Sequence, residues 1–252
     1  MSELSEPARQ ARAHSFGSVA ADYATLRPSY PTDALAFVVG ERPLRVLDLG
    51  AGTGLLTDVV RAAGHTVVAV DPSPEMLAQL SAHLPDVETH VGSAESLPLP
   101  DASVDAVVAG QAAHWFDPAP TAAELRRVLR PGGVVGLIWN FRDGRVPWVA
   151  ALDELVNEQR QDRADDQRAV DDLARLLPAV VDRFESSLVQ AATPEQVVGG
   201  IGTRSYAALM DPAQRSAFLG RVRALLAAHP ATRGRDRLEV PHRTVAYRLT
   251  PR

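Results

Sequence analysis

The chain has no cysteine and no lysine among its 252 residues. The first absence removes disulfides, thiolate nucleophiles and thiolate metal sites together. The second removes Schiff-base lysines and the P-loop lysine, so arginine alone carries the permanent positive charge. No run of eighteen or more apolar residues occurs, and the opening "MSELSEPARQARAH" is charged with no apolar stretch behind it. That predicts neither a membrane span nor a secretory signal, and a cytoplasmic location. With a formal charge of −5 and a pI near 5.8, there is no general electrostatic pull toward nucleic acid or an anionic membrane. What the chain does have is 46% apolar residues, enough to bury a substantial core in one α/β domain with additions.

Apolar runs and punctuation alternate regularly from about Arg45 to Asn140. "RVLDLG" (45–50), "HTVVAVD" (65–71), "VETHV" (87–91), "VDAVVAG" (104–110) and "VVGLIWN" (134–140) are short runs expected as strands. Between them, "TGLLTDVVRAAG" (53–64) has helical spacing and stops at Gly64, and "SPEMLAQLSAHL" (73–84) opens with Ser73 as N-cap and Pro74 at the first helical position. "DPAPTAAELRRVLRPGG" (117–133) is expected as a helix closed by Pro131 and two glycines. Unbroken apolar strands separated by helices predict a doubly wound, Rossmann-like α/β sheet covered on both faces.

The flanks differ. Residues 1–40 are expected to be helical and then extended through "RPSYP" (27–31), forming an N-terminal lid over a core of residues 41–140. Residues 141–252 are expected as a helical insertion plus C-terminal strands that complete a seven-stranded, mostly parallel sheet with an antiparallel last strand, all within one domain. In that part, 146–177 predicts two helices around a solvated break, and "FESSLVQAA" (184–192) and "RTVAYRLTP" (243–251) predict strands. Thr193-Pro194-Glu195-Gln196 and Asp211-Pro212-Ala213-Gln214 predict two helix starts.

The turn Gly50-Ala51-Gly52-Thr53-Gly54 follows the first strand. It lacks the Lys-Ser/Thr pair of a nucleoside-triphosphate loop, and its third glycine comes one residue early for a dinucleotide fingerprint. Asp48 aims a carboxylate at the turn, which suits a cationic group better than a pyrophosphate. Asp71 ends the second strand where such folds place an acid for ribose hydroxyls. A ligand with a ribose and a cationic end satisfies all of these.

"VLDLGAGTG" (46–54), Asp71, "GSAESLPLPDASVDAVVAGQAAHWFD" (92–117) and "RVLRPGGVVGLIW" (127–139) together resemble the class I S-adenosylmethionine-dependent methyltransferases. Within them the chain resembles the small-molecule branch that includes the ubiquinone-biosynthesis and trans-aconitate methyltransferase-like enzymes. "FGSVAADYATLRPSYP" (16–31) and "GTRSYAAL" (202–209) resemble flanking elements of that branch. The resemblance implies that Gly50, Ala51, Gly52, Thr53 and Gly54 approach the methionine and ribose parts of S-adenosylmethionine. Asp48 would lie near its ammonium, and Asp71 with Pro72 would hold the ribose. Met76 would pack on adenine or fill core. Ser93, Ala94 and Glu95 form the adenine loop, with Ser93 where many relatives carry an acid; backbone groups of Ala94 and a hydroxyl would hold adenine, or Glu95 would substitute.

"AGQAAHWFDP" (109–118) follows the fourth strand, beyond whose carboxyl end such sheets bind ligands. Gln111, His114, Trp115 and Phe116 therefore cluster where a methyl acceptor meets the sulfonium. His114 serves as general base or as a hydrogen-bonding wall; an unperturbed imidazole titrates at about 6.5, suited to either. Tyr23, Arg27 and Tyr30 are lid residues, with Tyr23 and Arg27 expected at the cofactor and Tyr30 at the substrate. Arg204 and Tyr206 are further substrate-pocket candidates. The seven histidines (His14, His65, His83, His90, His114, His229, His242) are scattered with no H-x₃-H pair, so no metal is expected.

The function expected is methylation of oxygen, carbon or nitrogen of a small molecule by a monomer or homodimer, without a nucleic-acid or membrane partner. A non-catalytic S-adenosylmethionine-binding sensor or partner subunit is the alternative. An NAD-dependent oxidoreductase ranks third. Nucleic-acid methylation is disfavoured by the acidic balance and the missing N/D-P-P-Y/F sequence after the fourth strand.

Overall fold

A computed structural model describes residues 26–157, 165–204, 207 and 210–252. Tyr23 and Tyr206, and the stretch 1–25, lie outside the described residues. In chain order the elements are α1 (Thr32–Val39), β1 (Arg45–Leu49), α2 (Leu55–Ala62), β2 (Thr66–Asp71), α3 (Pro74–His83), β3 (Glu88–Val91) and β4 (Val104–Gly110). A 3₁₀ turn (Ala113–Trp115) leads to α4 (Pro118–Val128) and β5 (Leu129–Arg142). Then follow α5 (Pro147–Asn157), α6 (Asp165–Leu176), β6 (Ala179–Ala192), α7 (Pro194–Gly202), α8 (Pro212–Ala228) and β7 (Leu238–Pro251).

The seven strands form one sheet in the order β3-β2-β1-β4-β5-β7-β6, mostly parallel with antiparallel last strands. Its centre is parallel: β1 lies between β2 (Asp48 opposite Ala69) and β4 (Asp48 opposite Val108), with β3 beyond β2 and β5 beyond β4. Strand and helix alternation therefore produces the doubly wound sheet that the apolar runs predict. Among the described residues, no helix is long and apolar enough to cross a membrane.

The chain divides into two compact units. A sheet unit comprises Ser29–Asn140, Ala164–Ser186 and Thr244–Arg252; a helical unit comprises Met1–Pro28, Phe141–Arg163 and Ser187–Arg243. In the sheet unit, Leu35 and Val38 of α1 and Leu56 and Val60 of α2 pack with Val46, Ala106, Val108 and Ile138 from the strands. Leu77 and Leu80 of α3, with Leu84 just after it, form a second cluster with Ala51 and Ala69. Each such buried valine, leucine or isoleucine contributes about 2 kcal/mol. The helical unit has its own core, built by Val149 and Leu152 of α5, Val198 and Ile201 of α7, and Phe218, Val222 and Leu226 of α8.

Several element boundaries depart from the sequence expectation; β7 starts at Leu238, five residues before its expected start, and the clearest physical causes are at α4 and β6. Helix α4 ends at Val128 rather than running to the glycines, and Leu129 is already extended (φ −71°, ψ 135°). Pro131 disfavours helix at its predecessor Arg130, so the chain leaves the helix early. Leu129 then pairs with Val104 and Val134 with Ala106, and the extra residues around Pro131-Gly132-Gly133 form a bulge. Strand β6 begins at Ala179, five residues before the expected start. Its burial is mostly exposed or intermediate along its length, so the apolar signal that marks a strand is weak there. Charged 146–177 forms α5 and α6 as expected, the break between them lying outside the described residues.

Candidate functional site

The site is assembled in the sheet unit, at the carboxyl ends of β1, β2 and β4. Asp48 comes from β1, where its neighbours on β2 and β4 are apolar, so its side chain is fully buried. Thr57 Oγ1, on the first turn of α2, donates to Asp48 Oδ2 at 2.6 Å. Asp48 Oδ1 has no partner among the described residues, and neither does the buried Thr53 Oγ1. Burial pushes the Asp48 carboxyl up to about 7; the Thr57 hydroxyl opposes this and the Asp71 charge adds to it. A carboxylate so held is poised for a cationic partner.

The turn bends around this group. Gly50, Gly52 and Gly54 take φ of +72°, +56° and +90°, a region open to glycine and strained for other residues. A side chain at Gly50 would also meet Ala112 Cβ at 2.6 Å, and one at Gly54 would meet Leu80 Cγ at 2.8 Å. Asp71 clamps the other side: Gly52 N–H donates to its Oδ2 and Ser73 N–H to its Oδ1, each at 2.8 Å. Its carboxyl is raised by burial, partly offset by those two N–H donors. Each oxygen of an ionised carboxylate still has a lone pair to offer. Ser73 caps α3 by accepting from Met76 N–H at 3.2 Å, and the Met76 side chain is itself buried.

The adenine-loop candidates are tied down differently. Ala94 is buried, and Ser93 bridges to Ser96 in a short antiparallel contact. Glu95 Oε1 accepts from Asp117 N–H at 2.9 Å, which gives it a structural task at the approach to α4. Behind the loop, Arg127 donates to Leu97 O and Leu99 O, and Glu124 accepts from Leu97 N–H. Pro72 is exposed.

Beyond β4, Gln111 adopts φ +57° and donates from Nε2 to Asn140 O at 2.8 Å. Asn140 Nδ2 donates to Ser29 O, and Thr244 Oγ1 donates to Asn140 Oδ1. Tyr30 covers Gly110, whose added Cβ would lie 2.5 Å from the Tyr30 hydroxyl. His114, in the 3₁₀ turn, has Nδ1 at 3.1 Å from Asp166 Oδ1 on α6 and at 3.5 Å from Trp139 Nε1 on β5. The Trp115 ring lies 4.8 Å from that of His114, and Phe116 faces Gly50.

Asp48, the glycine turn, Asp71, Ser93, Glu95, Gln111, His114, Trp115 and Tyr30 all fall in the sheet unit. Arg27 and Arg204 fall in the helical unit, where Arg27 donates to Thr203 Oγ1 and to Thr203 O, tying itself to the end of α7. Three contributors were not picked out from sequence. Thr57 carries a hydroxyl at the third helical position after the turn, a signal that could have been read. Asn140 ends the last apolar run, a weaker one. Asp166 sits in a stretch crowded with acids, where nothing local separates it from its neighbours.

Residues 47–137 match the family model described as a methyltransferase domain. The chain is 44% identical over 239 residues to an uncharacterized methyltransferase of Mycobacterium tuberculosis, covering 94% of this chain and 95% of that protein. It is 36% identical over 160 residues to malonyl-(acyl-carrier protein) O-methyltransferase of Pectobacterium atrosepticum, covering 62% and 63%. A provisionally assigned type II methyltransferase structure from Anaeromyxobacter dehalogenans superposes with a TM-score of 0.65 at 26% identity, over 89% of this chain and 97% of that one.

Proposed function

The chain belongs to the class I S-adenosylmethionine-dependent methyltransferases, and from that premise we propose that it methylates a small-molecule acceptor, with His114 as the group that takes the acceptor's proton. S-adenosylmethionine is the cofactor, and it supplies an electrophilic methyl group on a sulfonium. The residues present fit it. The buried Asp48 Oδ1 without a partner answers a cationic group, the glycine turn leaves backbone room, and Asp71 retains acceptor capacity for ribose hydroxyls. Ala51, Thr53, Pro72, Met76, Ser93 and Ala94 would complete that seat.

The observation that carries the acceptor-side reading is the pairing at His114. An imidazole beyond β4 with an acid beside Nδ1 has the arrangement of a positioned base. Gln111 orients the same wall through Asn140, and Tyr30 and Trp115 bound it. With the cofactor bound, its methyl would pass to the acceptor's lone pair and the sulfonium would be left as a thioether, while His114 Nε2 would take the proton the acceptor gives up. Positioning and exclusion of water supply the remaining acceleration. A small acceptor is supported by the acidic balance and by the small-molecule branch that the motifs resemble. The relative from Pectobacterium atrosepticum methylates an oxygen, which makes an oxygen acceptor the first to try.

Calorimetry with S-adenosylhomocysteine, followed by transfer of labelled methyl to a panel of small acids, alcohols and amines, tests this reading. Binding with a labelled product is expected, and His114→Ala should lower kcat about 100-fold while S-adenosylhomocysteine affinity stays unchanged. Binding without product across the panel would instead favour a non-catalytic cofactor-binding protein.

A further inference from the structure

The proton-accepting role of His114 raises a question about its ring, and the inference here rests on that role. A neutral imidazole offers a lone pair on Nε2 only when the hydrogen is on Nδ1. Two neighbours compete for Nδ1. Trp139 Nε1, on a fully buried indole, can only donate and lies 3.5 Å away. Asp166 Oδ1 lies 3.1 Å away and, when ionised, can only accept. The indole thus favours the tautomer that is useless as a base, and the carboxylate favours the useful one.

We propose that Asp166 is a positioning residue that holds His114 in the Nδ1–H tautomer against Trp139, leaving Nε2 free to receive the acceptor's proton. Distance and charge both decide in favour of the acid. A separation of 3.5 Å is at the outer limit of hydrogen bonding, whereas 3.1 Å is within it. A bond to an ionised acceptor is also roughly twice as strong as one between neutral groups. The two side chains keep only 22% and 24% of their exposure, so water screens the pair weakly. Once Nε2 takes its proton, the imidazolium charge forms beside Asp166 and is stabilised there. The 3₁₀ turn and α6 both belong to the sheet unit, which keeps the pair within one compact body.

The test is the tautomer of His114 in the full chain, read from imidazole nitrogen shifts in long-range proton–nitrogen spectra at about pH 8, above the ordinary imidazole range. In the wild type the Nδ1–H form should predominate. In Asp166→Ala the ratio should swing roughly tenfold toward Nε2–H, with the Trp139 indole N–H moving downfield as it engages Nδ1. Asp166→Asn, whose amide oxygen can still accept, should keep the Nδ1–H form and serves if the alanine variant does not fold. An unchanged ratio in a folded Asp166→Ala, or a wild type that is mostly Nε2–H, would overturn the proposal. An enzyme without methyl transfer but with the expected tautomer shift would count against the function proposed above and not against this pairing. Where a product has been found, kcat should fall in Asp166→Ala with KM unchanged and recover in part in Asp166→Asn.

Discussion

The turn into α2 and the turn into α7 are both short connections from a strand to a helix, and they follow opposite rules. At α7, Thr193 accepts from Gln196 N–H, the Gln196 side chain accepts from Thr193 N–H, and Pro194 takes the position where an N–H would go unused. At α2 the N-cap is Gly54 in the left-handed region, with no side-chain cap at all. Just behind it lie a buried carboxylate and a buried hydroxyl, each with an oxygen lacking a partner among the described residues. One turn satisfies its own polar groups. The other leaves them to be satisfied by something else, at a cost in stability of the kind that functional sites carry.

Removing the clamp should break that contrast most severely. Asp71 organises the turn through Gly52 N–H and Ser73 N–H, and on the proposed reading accepts from two ribose hydroxyls. Bonds to a charged acceptor contribute about 1.5–3 kcal/mol each, so Asp71→Ala should lose about 4 kcal/mol of cofactor affinity, about 1000-fold. Calorimetry with S-adenosylhomocysteine measures it; an affinity within threefold of wild type would mean that the acid serves the turn alone.

A subtler variant should weaken the ligand and strengthen the fold. The native Asp48 carboxyl titrates at about 7, while its ordinary value is 3.8. Between about pH 4 and 7 the native state therefore holds a proton that the unfolded chain has lost. Stability from this group falls as pH rises through that window and levels off above it. In the helical unit, burial lowers His242 to about 4, so that group costs stability as pH falls from the ordinary imidazole range. The two signs oppose each other in the wild type, and the difference between Asp48→Asn and wild type isolates the carboxyl. Asp48→Asn should gain on the order of 2 kcal/mol at pH 8 and nothing near pH 4, while cofactor affinity drops about tenfold. Urea titrations at the two pH values decide it, and a gain independent of pH would contradict the burial account.

The same contrast explains what could be read in advance. Central strands β1, β2 and β4 are legible because both faces are covered, which leaves continuous apolar runs. Ser73, Thr193 and Asp211 are legible as caps because capping is local chemistry. Edge strand β6 loses its first residues to the reader because an exposed strand needs no apolar pattern. Arg27 invites a cofactor role by its charge, while its bonds to Thr203, far along the chain, could not be read from its neighbours in sequence. Asp166 was missed for the same reason in reverse: its meaning comes only from a histidine distant in sequence. Turns that serve a ligand announce themselves by breaking local rules; partners brought in by tertiary packing do not.

The smallest expected effect tests the other side of the comparison. Thr193→Ala removes the side-chain acceptor of the α7 capping box but leaves Pro194 and the Gln196 bond to residue 193 N–H in place. The loss should be about 1 kcal/mol, or about 2–4 °C in Tm for a chain of this size. Cofactor affinity should not change, because Thr193 is not among the residues proposed to hold the cofactor. If Thr193→Ala instead weakened S-adenosylhomocysteine binding by more than the stability loss implies, the well-capped turn would also be serving the ligand. The division of labour between a turn that satisfies itself and a turn that waits for a partner would then fail.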